Sequence, residues 1–225
     1  GIPVCNLAGY STESVAEFII AAILEHIREL EKGKNQAKGG NYSTDRFSAT
    51  EIKDKIFGIV GLGAIGGRVA EIALGFGADV RYWSRNRKMN AERNGLKYED
   101  ADKLISEADI ISINLALNKD TDNFLNKNMI QKLKSGSTVI NTCPMELVNI
   151  DALEQRLKKG DITFILDHSD EMTIKDLAKL SKHKNCVIYP PIALVTKEAR
   201  ITKQKIFIQN IENFLKGSPT NQVNK

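Results

Sequence analysis

Three glycines that follow a short apolar run have the clearest capacity for chemistry in this sequence. The run spans residues 56–60, and the letters GLGAIGG come directly after it. Gly61 permits a tight turn, Gly63 lets a diphosphate approach the backbone, and Gly66 lets a helix pack close to the strand. The free N–H groups and the positive dipole end of that helix then hold the negative charge. This spacing predicts a dinucleotide site, and the alternative is a glycine turn that only tightens packing.

The turn after the next predicted strand carries cations where an acid is usual. In dinucleotide-binding domains, an acidic residue at this place accepts hydrogen bonds from the hydroxyls of the adenosine ribose. Here Ser84 takes that place, and Arg85, Arg87 and Lys88 follow it. A hydroxyl and several cations suit a 2′-phosphate, because charge-assisted hydrogen bonds to phosphate are strong. The sequence therefore slightly favours NADP over NAD, and the alternative is a solvated basic turn.

Alternating strands and helices must position these residues. Short continuous apolar or β-branched runs predict strands buried on both faces, at 56–60, 80–83, 110–113, 138–141, 162–166 and 187–189. Helical patterns lie between and after them, at 65–76, 101–107, 127–133, 151–159, 174–180 and 197–215. This alternation predicts an α/β fold, namely a doubly wound parallel sheet of the Rossmann type with right-handed crossovers.

The residues before the first of these strands predict a helix and a polar connection. Residues 11–31 have a helical pattern capped by Ser11 or Thr12, with apolar side chains over so wide an arc that a second surface must cover them. Residues 32–50 are polar and predict a loop or extended arm. Residues 1–5 have the pattern of a strand without an initiator methionine, so we expect a fragment or a processed product. We expect residues 1–195 to form the dinucleotide-binding domain and residues 196–225 a C-terminal helix and tail.

Composition argues against several classes of protein. The 225 residues carry a net charge of +4, with cations and acids interspersed, which does not favour a nucleic-acid surface. No apolar run is long enough to span a bilayer. Cys5, Cys143 and Cys186 are widely spaced, which favours reduced thiols over a disulfide frame or a zinc site. We therefore expect a cytoplasmic protein with neither a nucleic-acid nor a membrane partner.

Several motifs along the chain resemble those of the D-isomer-specific 2-hydroxyacid dehydrogenases, the glyoxylate, hydroxypyruvate and phosphoglycerate group. GIPVCNLAGYSTESVAEF resembles the family's re-entry into its cofactor domain, and GLGAIGGRVA matches its glycine fingerprint. YWSRNRK resembles the NADP-preferring members, and VINTCPMELVNIDAL resembles the strand and helix around the nicotinamide. FILD and TKEAR continue the similarity toward the end of the chain. The resemblance implies a homodimer formed through the helix at 11–30. It also implies a substrate domain whose N-terminal segment lies outside this sequence.

The same resemblance implies that the family's catalytic positions are substituted. The family uses an arginine to polarise the substrate carbonyl, and a histidine held by a glutamate to move the hydroxyl proton. The arginine position is Pro144 and the histidine position is Pro191. The glutamate position is Met172, or Glu171 if the loop shifts by one residue. We therefore expect no catalytic residue at these positions.

Two further residues near the expected nicotinamide have side chains that are capable of chemistry. His168 follows Asp167 and could turn inward as a replacement acid and base, although the matching family position is apolar. Cys143 could be a nucleophile, although a buried inert thiol is the better interpretation.

The resemblance and the glycine motif together define a cofactor site. The family uses the position of Asp167 to bind the nicotinamide carboxamide, and its retention implies that cofactor binding persists. The predicted cofactor-binding residues are Gly61, Gly63, Ala64, Ile65, Gly66, Ser84, Arg85, Lys88, Leu115, Thr142, Cys143 and Asp167.

Three functions are compatible with these observations. The first is a dimeric NAD(P)-binding domain of a dehydrogenase-like protein with impaired catalysis. The second is an active NAD(P)-dependent oxidoreductase of 2-hydroxy or 2-keto acids, seen as a fragment. The third is an interaction module that senses nicotinamide nucleotides.

Overall fold

The protein is built around one parallel β-sheet. The computed structural model describes residues 2–224, and within them the sheet has seven strands in the order β3-β2-β1-β4-β5-β6-β7. All neighbouring strands are parallel. The strands are β1 Ile56–Val60, β2 Asp79–Trp83, β3 Lys97–Tyr98, β4 Ile110–Ile113, β5 Thr138–Asn141, β6 Thr163–Leu166 and β7 Cys186–Ile188.

Helices cover both faces of the sheet and extend beyond it. They are α1 Thr12–Ile27, α2 Leu30–Lys38, α3 Ala64–Gly75, α4 Met89–Arg93, α5 Ala101–Glu107, α6 Lys127–Lys132, α7 Ile150–Leu157, α8 Ile174–Ser181 and α9 Lys197–Leu215. Helices α1 and α3 contribute to one buried cluster, with side chains of β1 and β2. Helices α5, α6, α7 and α8 contribute to a second cluster, with side chains of β4, β5 and β6. The predicted doubly wound sheet is therefore confirmed.

Burial on both faces explains why the strands were recognisable. All four residues of β4 and all four of β5 are buried, so their runs are continuous rather than alternating. The ends of the six predicted strands and the six helices from 65 onward lie within two residues of the observed ends. The sequence did not reveal β3, which has two residues, or α4, which has five, because neither is long enough to show a period.

The first helix differs from its prediction in length and in surroundings. It ends at Ile27, because Glu29 adopts the left-handed conformation with φ 50° and separates α1 from α2. Its apolar residues, including Ile19 and Ile23, are buried in the cluster that α1 shares with α3 and the sheet. The second surface that the wide apolar arc requires is therefore supplied by the chain itself.

Two expectations for the N-terminal region were wrong. The segment predicted as a loop or arm at 32–50 begins inside α2, and its later part has no helix or strand. Residues 2–5 do not join the sheet, and Cys5 makes only an isolated antiparallel bridge with Gln222. Gly1, which was part of that expectation, lies outside the described residues. No helix of residues 2–224 combines the length and apolar character needed to cross a bilayer.

Candidate functional site

The sheet has a switch point between β1 and β4. The chain runs from β1 outward through β2 and β3, and then returns to place β4 on the other side of β1. The crossovers leaving β1 and β4 therefore diverge, and a crevice opens at the carboxyl ends of these two strands. Ligands of open α/β sheets bind in such crevices.

The glycine loop forms the floor of this crevice. Gly61 has φ +95°, and its N–H donates to the carbonyl of Trp83 at 2.8 Å. A Cβ at Gly61 would collide with the carbonyl oxygen of Asn114, and a Cβ at Gly66 would collide with that of Gly61. A Cβ at Gly63 would meet no described atom within 4 Å. Two glycines are therefore required by packing, and Gly63 leaves open space where a ligand would approach.

Two cavities meet above Gly63 and make one groove. The first has a volume of about 450 Å³ and contains Gly61, Ser84, Arg85, Lys88 and Leu115 among its lining residues. The second has a volume of about 300 Å³ and is lined by Gly9, Ser11, Thr12, Gly63, Ala64, Ile65, Asn114, Leu115, Ala116, Thr142 and Cys143. Gly63, Leu115 and Ala116 line both cavities. The structure thus brings ten of the twelve predicted cofactor residues to the lining of this groove, with Gly66 beneath it and Asp167 outside the lining.

The polar groups at the first cavity are more fully engaged than the sequence suggested. The Ser84 hydroxyl is buried and donates to the carbonyl of Asn86 at 2.7 Å. Arg85 pairs with Asp120, with 2.9 Å between Nη2 and Oδ2. Arg87 points away from the cavity and forms two hydrogen bonds with the Glu92 carboxylate, at 2.7 and 2.6 Å. A 2′-phosphate would therefore have to displace internal partners of Ser84 and Arg85.

Cys143 lies at the second cavity as a buried thiol. Its thiol is buried and donates to the carbonyl of Ile113 at 3.2 Å. Burial raises the pKa of this thiol to about 12, so the thiolate is scarce at neutral pH. The interpretation of Cys143 as an inert thiol therefore has a physical basis.

Asp167 is a buried carboxylate with an unused acceptor. It is 1% exposed, and its Oδ2 accepts a hydrogen bond from the backbone of Ala193 at 3.1 Å. Oδ1 has no hydrogen-bond partner among the described residues. Burial raises the pKa of Asp167 from its ordinary value. An unpaired acceptor of this kind fits an amide donor such as a carboxamide.

The three positions that the resemblance assigns to catalysis, with Met172 rather than Glu171 taken for the glutamate, carry no group that moves a proton. Pro144 is half-buried and begins a short 3₁₀ turn at Met145–Leu147. Met172 packs against the core cluster on the α5–α8 face of the sheet. Pro191 is half-buried in the irregular segment between β7 and α9. None of the three side chains can donate or accept a proton.

His168 lies between two acids, which the sequence did not reveal. Its Nδ1 is 3.3 Å from Oε2 of Glu171, and its Nε2 is 3.9 Å from Oδ1 of Asp167. The spacing of three residues between His168 and Glu171 was visible, but the turn at Ser169–Glu171 that brings them together has no clear sequence signature. His168 lines neither cavity of the groove.

Other lining residues were missed because they lie in loops far from the glycine motif. Gly9 and Ser11 come from the turn before α1, Thr12 is the first residue of α1, and Asp120 comes from the loop after β4. Their positions depend on how these loops fold over the sheet. Sequence spacing alone gave no signal for them.

Comparison with known proteins identifies the family. Residues 20–193 match the family described as D-isomer specific 2-hydroxyacid dehydrogenase, NAD binding domain. The chain belongs to the D-isomer-specific 2-hydroxyacid dehydrogenases. The resemblance inferred from its motifs is confirmed, and the glycine groove is that of an NAD-binding domain.

Two curated relatives of this dehydrogenase-family chain are reductases. The hydroxypyruvate reductase of Blautia hydrogenotrophica is 33% identical, over 100% of this chain and 72% of the relative. The glyoxylate reductase of Aeropyrum pernix is 32% identical, over 100% of this chain and 70% of the relative.

Two solved structures of similar fold contain nicotinamide dinucleotides. The D-lactate dehydrogenase of Aquifex aeolicus, complexed with NAD and lactic acid, has a TM-score of 0.88 at 28% identity, covering 96% of this chain and 70% of that one. An acyclic imino acid reductase in complex with NADPH and D-Arg has a TM-score of 0.87 at 30% identity, covering 99% and 71%. One neighbour thus holds NAD and the other NADPH, so the comparison does not select between the two cofactors.

The residues of this dehydrogenase-family chain fit a nicotinamide dinucleotide. Gly63 leaves space above the N-terminus of α3, where the first N–H groups have no partner within the helix. The groove extends to both sides of that point, as the two nucleotides of a dinucleotide require. When bound, the nicotinamide of such a cofactor carries the hydride in redox chemistry.

Proposed function

We propose that this chain binds NADP or NAD in the groove above Gly63 and catalyses little or no hydride transfer to 2-keto acids. The observation that carries the binding half is the groove itself. Two cavities, of about 450 and 300 Å³, meet over a glycine whose Cβ position is open. The diphosphate would lie on the N-terminus of α3, where helix N–H groups and dipole favour negative charge.

The proposal that catalysis is impaired is supported by the substituted catalytic positions. Pro144 and Pro191 stand where the family has its arginine and histidine. Loss of a positioned acid or base removes about 10²–10⁴ in rate. Loss of the cation as well leaves the developing charge on the carbonyl oxygen without electrostatic stabilisation.

The preferred cofactor is proposed to be NADP by a small margin. Arg85 and Lys88 line the cavity at the end of β2, and no acid follows Trp83 in that strand. Lys88 makes no ion pair within the described part of the chain, so its ammonium is available to a phosphate. Asp120 opposes this preference, since its carboxylate lies 2.9 Å from the Arg85 guanidinium.

A fluorescence titration with NADH and NADPH tests the proposed cofactor binding. The wild-type protein should bind both, and Gly63→Glu should abolish binding, because the new side chain fills the diphosphate position and repels its charge. Gly67→Glu is the matched control, because Gly67 is also on α3 with open space at its Cβ but does not line the groove. Equal binding by wild type and Gly63→Glu would contradict the proposed role of the loop.

Addition of glyoxylate or hydroxypyruvate to the same cuvette tests the proposed impairment of catalysis. We expect no measurable oxidation of NADH or NADPH beyond the rate of a protein-free blank. Rapid oxidation would contradict the proposal of impaired catalysis while leaving cofactor binding intact.

A second candidate function is favoured by the contact between His168 and Glu171. A histidine beside a glutamate is the pair that the family uses for proton transfer. Here the histidine is at a different position, and Glu171 is the alternative glutamate position. Nδ1 of His168 is 3.3 Å from Oε2 of Glu171 but makes no hydrogen bond within the described residues. An active oxidoreductase could use this pair. In that case His168→Gln would abolish turnover while the Kd for NADH stayed unchanged.

The homodimer implied by the resemblance and the cytoplasmic location expected from composition stay predictions, as does the nicotinamide-sensing module. The apolar arc of α1 no longer supports a dimer, because Ile19, Ile23 and their neighbours are buried within the chain. Sedimentation of the purified protein tests the dimer, and a single species of 25.0 kDa would contradict it.

A further inference from the structure

We propose that Asp120, in the loop after β4, is the carboxylate that contacts the group at the 2′ position of the cofactor's adenosine ribose. This contact limits the preference for NADP. This inference rests on the proposed binding of a nicotinamide dinucleotide in the groove. The acid that usually ends β2 is replaced by Ser84 in this chain. Asp120 supplies a carboxylate to the same cavity from a different strand.

The position of Asp120 is defined by its contact with Arg85. Both residues line the 450 Å³ cavity, as does Ser84. The Arg85 Nη2 is 2.9 Å from Oδ2 of Asp120, so the carboxylate pairs with the side chain of the residue that directly follows Ser84. Oδ1 of Asp120 has no hydrogen-bond partner in the described part of the chain, which leaves it available to a ligand.

The backbone around Asp120 is held by a network of side chains within its own loop. The amide of Asp120 donates to Oδ1 of Asn118 at 2.9 Å. The Thr121 hydroxyl accepts from the amide of Asn118 at 2.9 Å and donates to the carbonyl of Ala116 at 2.7 Å. Thr121 is buried, although the Asp120 side chain is exposed. The loop therefore presents the carboxylate from a fixed backbone.

The loop is also fixed relative to the end of β2. The rings of Trp83 and Phe124 are 4.9 Å apart between centroids and tilted by 35°. Trp83 immediately precedes Ser84, and Phe124 follows Asp120 by four residues. The backbone N–H of Asn123 donates to the carbonyl of Glu146 at 2.8 Å, which ties the loop to the segment after β5. Packing of this kind keeps Asp120 opposite Arg85.

The two cofactors would meet this arrangement differently. The 2′-hydroxyl of NAD can donate to Asp120 while the ion pair with Arg85 stays in place. The 2′-phosphate of NADP carries negative charge, so Asp120 repels it and competes for the Arg85 guanidinium. An exposed ion pair is weak, so Arg85 can change partner, but the repulsion remains. Asp120 therefore favours NAD at a site whose cations favour NADP.

Replacement of the carboxylate by an amide tests the inference. In Asp120→Asn, the ratio of the Kd for NADH to the Kd for NADPH should rise by about tenfold, from tighter NADPH and weaker NADH binding. Asp122→Asn is the matched control, since it removes one exposed carboxylate from the same loop at a position that does not line the cavity. It should change the ratio by less than about twofold. An equal shift in both variants, or no shift in Asp120→Asn, would overturn the inference.

A double-mutant cycle with Arg85→Ala separates a specific contact from general electrostatics. If Asp120 acts partly by holding Arg85, the gain in NADPH affinity from Asp120→Asn should be smaller when Arg85 is absent. Identical gains in both backgrounds would overturn the competition for Arg85. Wild-type protein that bound neither cofactor would refute the proposed function itself. Wild-type protein that bound NADH normally, with a ratio insensitive to Asp120→Asn, would refute this inference alone.

Discussion

At the residue scale, Asp167 is a buried carboxylate whose two oxygens are unequally paired. Its side chain is 1% exposed, and only one of its two oxygens accepts a hydrogen bond within the described residues. A buried charge with incomplete pairing costs free energy, and this cost is the reason that its pKa is raised. The residue contrasts with the half-buried Pro144 and Pro191, whose side chains carry no charged group and therefore no such cost. Binding of a carboxamide would supply the missing partner of Oδ1.

We predict that Asp167→Asn stabilises the unliganded protein by about 1–3 kcal/mol at pH 7, because it removes a buried charge with an unpaired oxygen. A carboxyl group whose pKa is raised by folding adds most to the free energy of unfolding at low pH. That contribution is lost as the pH rises through the raised pKa. The gain from Asp167→Asn should therefore be largest at neutral pH and should vanish in acid, below the ordinary carboxyl range. Urea denaturation of both proteins at several pH values measures it.

The exposed Asp122→Asn serves as the control for that experiment. Its free energy of unfolding should differ from the wild-type value by less than about 0.5 kcal/mol. A loss of stability in Asp167→Asn at pH 7 would show that the carboxylate is fully satisfied in the folded protein. It would thus contradict the assignment of Oδ1 as an open acceptor.

At the scale of elements, the turn from β1 into α3 separates packing from binding within one loop. Gly66 faces the carbonyl of Gly61 with no space for a Cβ, and it is buried. Gly63 has open space, and a dihedral pair, φ −89° and ψ −157°, that any residue can adopt. The same sequence motif therefore contains two glycines, Gly61 and Gly66, that packing requires, and a third, Gly63, that leaves open space above the helix N-terminus.

We predict that Gly66→Ala destabilises the protein by about 1–3 kcal/mol, because the helix must move away from the strand to admit the methyl group. Gly67→Ala, one position later on α3, should instead stabilise it by about 0.5–1 kcal/mol, because its Cβ meets no described atom within 4 Å and alanine favours the helix. Thermal unfolding of the two variants and of the wild type measures both changes in stability. Equal stability of the two variants would disprove the close approach at Gly66.

At the scale of the whole molecule, α9 is attached to the rest by a small polar cluster rather than by a core. Asn210 is 7% exposed, and its Nδ2 donates to the carbonyl of Asn6 at 3.0 Å. Its Oδ1 accepts from Asn221 Nδ2 at 2.8 Å and from the Thr220 hydroxyl at 3.2 Å. Around this cluster, apolar side chains such as Phe207 remain exposed. This part of the fold should open more readily than the sheet.

We predict that Asn210→Ala increases amide hydrogen exchange in α9 and in residues 218–224 by about tenfold or more, because three hydrogen bonds are lost at once. Exchange in β1, β4 and β5 should not change, since their residues are buried independently of α9. Gln209→Ala, at a neighbouring exposed position on the same helix, is the control. Faster exchange throughout the sheet would contradict the view that α9 opens separately.

The sequence by itself determined the sheet, its direction and the glycine groove. Continuous apolar runs such as those of β4 and β5 identify strands buried on both faces, and the glycine spacing depends on backbone geometry within a few residues. Both are local properties, so they can be read without knowledge of distant contacts. The homology of the chain was visible for the same reason, because its motifs are contiguous. Pro144 and Pro191 were also visible in contiguous motifs, and their place at the family's catalytic positions stays a prediction.

Only the tertiary structure decided which charged and apolar groups already have partners. Arg85 and Asp120 lie on different loops, and their pairing at 2.9 Å depends on how those loops fold over the sheet. The apolar arc of α1 was correctly recognised, but its cover is the chain's own sheet and α3. Glu29 ends α1 through a left-handed conformation that no local pattern indicated. Partners that are distant in sequence are set by packing, and packing is a property of the whole fold.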